Sequence, residues 1–65
     1  MDWEEMRFRV VTRNADDKII DDRPAPHFAG AKPIYDSIAP KPGELVTLQH
    51  GIRIVKAKNS QGIVQ

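Results

Sequence analysis

The chain has 65 residues with ten basic and nine acidic side chains, a formal charge of +1; that is room for one domain over residues 1–65, whose core rarely supplies more than ~3 to 5 kcal/mol without staples. Cysteine is absent, which excludes a disulfide framework and a thiolate metal site and fits a reducing compartment. Apolar runs such as Val10-Val11 and Ile19-Ile20 fall far short of the ~20 residues of a membrane span, and an opening with Asp2, Glu4 and Glu5 has no apolar signal region, so a cytoplasmic location is expected.

At the start, Asp2 can cap a single helical turn through Trp3, Glu4 and Glu5, or the segment can serve as an extended lead-in. From Met6 to Thr12 the pattern has period two, with Phe8, Val10 and Thr12 on one side and Arg7, Arg9 and Val11 on the other. This is the signature of a half-exposed strand. Asn14-Ala15-Asp16-Asp17 is turn chemistry, because short polar side chains hydrogen-bond their own backbone. Lys18-Ile19-Ile20-Asp21 then resumes an extended run and completes a hairpin.

The segment from Arg23 to Gly43 holds Pro24, Pro26, Pro33, Pro40 and Pro42, which deny the backbone five amide donors. It reads as a long packed loop with at most one helical turn, over Pro33–Ala39, anchored by Ile34, Tyr35 and Ile38.

Beyond it, Glu44–Leu48 and Ile52–Lys56 flank Gln49-His50-Gly51, a second hairpin. A three-residue loop with Gly51 in the left-handed conformation pairs Leu48 with Ile52 and Val46 with Ile54, an apolar face, and sets Glu44 opposite Lys56 as an opposite-charge pair at its end. Leu45, Thr47, Arg53 and Val55 then share the other face. The last turn, Asn59-Ser60-Gln61-Gly62, leaves Ile63, Val64 and Gln65 as a short edge strand that closes on the first strand or pairs with a second copy. The sum is an all-β domain: a small five-stranded open barrel or SH3-like roll built from two hairpins and a proline-rich loop, a likeness of architecture only.

Catalysis finds little support. Ser37, Ser60, His27 and His50 stand in loop-like segments without an elbow motif, and the glycines are too scattered to cradle a phosphate. Asp21, Asp22 and His27 lack any metal-ligand spacing, and the two aspartates read better as solvent-facing groups paired with Arg7, Arg9 or Arg23. No catalytic residue, metal or cofactor is assigned.

Binding remains. Residues 1–22 carry seven acids against four bases, and the rest six bases against two acids. The first reading is a non-catalytic protein-interaction module, an accessory or regulatory subunit whose partner is another protein, met by Phe28, Tyr35, Leu45, Thr47, Arg53 and Val55. So small a domain covers one sheet face well and leaves apolar groups on the other for a partner, and Tyr and Arg are the side chains that most often dominate interfaces. The alternative is nucleic-acid binding through Arg7, Arg9, Arg13, Arg53, Lys56 and Lys58, weakened by nine acids and only four aromatic residues.

Overall fold

The computed structural model describes residues 8–64; the expected lead-in with Trp3, and Arg7 of the cationic set, lie outside them. Five strands and one helix follow in the order β1 (Phe8–Arg13), β2 (Ile19–Ala25), α1 (Phe28–Ser37), β3 (Leu45–His50), β4 (Arg53–Asn59) and β5 (Gly62–Ile63). The strands form one antiparallel sheet in the order β2-β1-β3-β4-β5. It is open, with β2 and β5 at its edges. The expected closure of the last strand onto the first is not formed among the described residues, because β5 pairs with β4.

The first hairpin follows the sequence. Asn14 Oδ1 accepts from the amides of Asp16 at 2.9 Å and Lys18 at 3.0 Å, so one side chain organises the turn. Asp17 takes a positive φ of 64°, a conformation that aspartate tolerates better than branched residues. Pro24 sits inside β2 opposite Arg9, where an edge strand tolerates a missing amide donor.

The proline-rich segment departs from expectation, since α1 spans ten residues rather than one turn. Pro33 lies inside it and costs the helix one amide bond. Two features compensate. His27 caps the N-terminus, its Nδ1 accepting from Gly30 N at 3.2 Å, and Ala31 and Tyr35 are buried one turn apart, with Ile34 and Ile38 packed beside them. A helix is stabilised chiefly by such a stripe. Replacing His27 by Ala is expected to lower stability by ~1 kcal/mol, and His27→Asn to restore most of it; a urea midpoint unmoved by His27→Ala refutes the cap.

The helix covers one face of the sheet, packing chiefly on β1, β2 and β3. Val10, Val46, Leu48 and Ala25 meet Ala31 and Tyr35 there to form the core. After α1, Lys41-Pro42-Gly43-Glu44 turns the chain into β3 with Gly43 at φ 88°. Glu44 N donates to Lys41 O at 2.9 Å while its carboxylate accepts from Lys41 N at 3.0 Å. The expected pairing of Glu44 with Lys56 is therefore not made.

The second hairpin also differs in register. Its turn is Gly51-Ile52, with His50 opposite Arg53 and Leu48 opposite Lys56. Gly51 takes a φ of 66°, which suits the first central position of a two-residue hairpin turn. The register shifts between Leu48 and Gln49, which makes Val55 the extra residue of a bulge. Ile52, expected in the apolar face, is 98% exposed at the tip. Lys56 and Lys58 stand opposite Leu48 and Val46 instead, with aliphatic stems able to cover apolar surface while the ammonium groups reach water.

Candidate functional site

The turn end of the sheet gathers side chains from four elements. Phe8 begins β1 and pairs with His50, the last residue of β3; their rings stack with centroids 4.5 Å apart and planes 14° from parallel. Phe28, the first residue of α1, meets Phe8 edge-on at 5.7 Å. This edge-to-face geometry suits the ring quadrupoles. On the far side stand Arg53, Ile54 and Val55 of β4, and the six residues line an open cleft of about 460 Å³. A bulge re-aims side chains, and here it brings two successive residues, Ile54 and Val55, onto the same wall.

Four large apolar side chains are exposed around this end: Phe28 at 39%, Val55 at 37%, Ile54 and the turn-tip Ile52. Single exposed apolar residues are ordinary; here three of the four, Phe28, Ile54 and Val55, line one cleft. Arg53 is exposed and makes no ion pair among the described residues.

Of the six residues expected to meet a protein partner, Phe28, Arg53 and Val55 are brought together here. The other three are elsewhere. Tyr35 is core, 4% exposed, with Lys58 Nζ 4.6 Å from its ring centroid and donating at 2.8 Å to its carbonyl, as a cation near a helix C-terminus does. The Tyr35 hydroxyl makes no hydrogen bond among the described residues; burial first, then nearby Asp36, pushes its pKa above the usual phenolic value. Thr47 is buried on the sheet face away from α1, opposite Val11, where its hydroxyl lies 2.8 Å from Gln49 Oε1. Leu45 stands at the opposite end of β3 from the cleft. The expected common face of Leu45, Thr47, Arg53 and Val55 is thus not formed, because the two-residue turn and the bulge separate the β4 pair from the β3 pair.

The cationic set is similarly divided. Arg9 grips Asp22 with both Nε and a terminal nitrogen, and that carboxylate raises the guanidinium pKa further by hydrogen bond and charge. Arg13 lies 3.8 Å from Asp17 and Arg23 2.8 Å from Asp21. Lys58 is engaged with Tyr35, which leaves Arg53 and Lys56 without a charged partner among the described residues. Phosphate contact needs free cations in a row, and these observations do not favour that use.

His50 and Phe8, part of the cleft, escape sequence reasoning because their stack depends on β1 pairing with β3 across an intervening helix. His27 serves as a cap, and Ser37 Oγ donates to Ile34 O at 2.8 Å. Among the described residues no three acidic, His or Cys side chains are grouped to hold a metal, and no helix is long and apolar enough to cross a membrane. Comparison with models of known families, with curated proteins and with solved structures finds no match to this chain.

Proposed function

We propose that this chain is a small non-catalytic protein-interaction module, an accessory or regulatory subunit of the cytoplasm, and that it holds its partner at the aromatic cleft. The observation that carries this reading is the grouping of exposed Phe28, Ile54 and Val55 with Arg53 around one concave opening, with Ile52 exposed in the turn next to it. A central aromatic or aliphatic anchor beside a directional polar group is the usual make-up of an interface hot spot. The reading does not require an SH3-like roll, since the cleft is formed by one end of an open sheet and the start of a helix. Self-association through β2 has less support, because Asp21, Asp22, Arg23 and Pro24 are the kind of residues that blunt a sheet edge.

The test is photocrosslinking in the native cell, with a benzophenone side chain at position 52 beside the cleft or at position 16, in the first hairpin turn at the other end of the sheet. Position 52 is expected to capture a protein, unaffected by nuclease, and position 16 is not. Val55→Ser together with Phe28→Ser is expected to reduce that capture at least tenfold, about the loss of one or two anchors. Equal capture from both positions, or capture abolished by nuclease, sinks the proposal.

A further inference from the structure

Beyond the cleft, the same boundary between α1 and β4 continues as a second concavity of about 260 Å³, lined by Lys32, Tyr35, Asp36, Lys56, Lys58 and Ile63. The two concavities share no lining residue but follow each other along α1 and β4, and together they are called a track below. Phe28, Lys32 and Asp36 recur every four residues along α1 and so lie on one side of the helix, while Val55 and Lys56 are neighbours on β4. The track exists because α1 packs chiefly over β1, β2 and β3, leaving the helix-side face of β4 and β5 uncovered, with Ile63 84% exposed.

Its chemistry changes from end to end. At the Phe28 end the walls are aromatic and aliphatic, with Arg53 on the rim. Toward β5 they become cationic, with three lysines against Asp36 as the one acid among the lining residues. Lys32 Nζ lies 2.6 Å from that carboxylate, so these two cancel, and with Lys58 bound to the Tyr35 carbonyl Lys56 is the cation here without a partner among the described residues. From Phe28 to Asp36 the helix rises ~12 Å, the length of about four extended residues.

We propose that this track receives an acidic peptide segment of the partner, an aromatic or large aliphatic side chain entering the Phe28 and Val55 end and carboxylates meeting Arg53 and Lys56. The proposal rests on the protein-interaction reading above and names the partner chemistry for that surface. Opposite charge along an interface steers association and fixes register; like charge would repel, so a basic or neutral segment is the poorer occupant.

The experiment selects a displayed random heptapeptide library on the intact chain, then measures one recovered peptide by fluorescence anisotropy. Recovered sequences are expected to carry one aromatic or large aliphatic residue and at least two acids. Replacing Arg53 and Lys56 together by Gln should weaken binding on the order of tenfold, two exposed charge contacts being lost. Asp36→Asn should instead tighten it by about threefold, a gain that misfolding cannot imitate. Neutral or basic recoveries, no enrichment, or affinity indifferent to both changes overturns the acidic partner; position 52 still capturing a protein would leave the interaction reading standing. Tighter binding of a single-stranded oligothymidine than of any recovered peptide would overturn both.

Discussion

Replacing Tyr35 by Ala is expected to remove most of the stability of this fold, at a cost of about 3 to 5 kcal/mol, comparable to the ~3 to 5 kcal/mol a domain this small commands. The ring is 4% exposed, packs with Val10, Val46 and Leu48, and carries the Lys58 ammonium over it. Tyr35→Phe is expected to behave in the opposite way. Its hydroxyl is buried and makes no hydrogen bond among the described residues, so deleting it removes a desolvation cost and leaves stability unchanged or higher by up to about 1 kcal/mol. The contrast extends to pH. Burial raises the folded-state pKa of Tyr35 above its ordinary value, so the unfolded chain loses this proton first. The stability due to the neutral phenol is therefore fully present below the unfolded pKa of about 10 and is lost as pH rises through the folded value. Denaturation of the parent chain and of Tyr35→Phe between pH 8 and 11 checks this. A Tyr35→Phe chain with the same alkaline decline as the parent would refute the assignment.

This outcome would also explain why Tyr35 looks like an interface residue in the sequence. A lone tyrosine in a proline-rich stretch invites that reading, and only the helix turns it inward. Its apolar positions, Phe28, Ala31, Tyr35 and Ile38, recur at helical spacing, yet the five prolines argue locally for loop. The structure resolves the conflict by placing Pro33 on an exposed part of α1, where water can satisfy the carbonyl it leaves free. The first hairpin was legible because its signals are local: the alternation of Phe8, Val10 and Thr12, and Asn14 at the turn. Half of the candidate site was legible for the same reason, Phe28, Arg53 and Val55 being exposed interface-type residues. Their partners Phe8 and His50 required a long-range strand pairing that no local signal encodes.

Leu48→Ala and Ile52→Ser together decide the register of the second hairpin, where local reasoning and structure part. Aligning Leu48 with Ile52 collects apolar residues on one face and predicts both substitutions to be damaging. The structure places them in opposite environments. Leu48 is 0% exposed at the centre of the sheet, between Val10 of β1 and Lys56 of β4, while Ile52 projects from the turn. The sheet can dispense with apolar partners on β4 because α1 supplies the opposing layer, Tyr35 and Ala31 covering Leu48 and Val46 in one cluster. Leu48→Ala is therefore expected to cost 2 to 5 kcal/mol, roughly the transfer and cavity penalty of a buried leucine, and to leave much of the chain unfolded at 25 °C. Ile52→Ser is expected to change stability by no more than about 0.5 kcal/mol, as surface substitutions do, while weakening partner capture at the cleft it borders. Chemical denaturation of the two variants gives the answer directly. If Ile52→Ser proves as costly as Leu48→Ala, the three-residue loop is the true register, and the cleft built on the bulge at Val55 falls with the observed one.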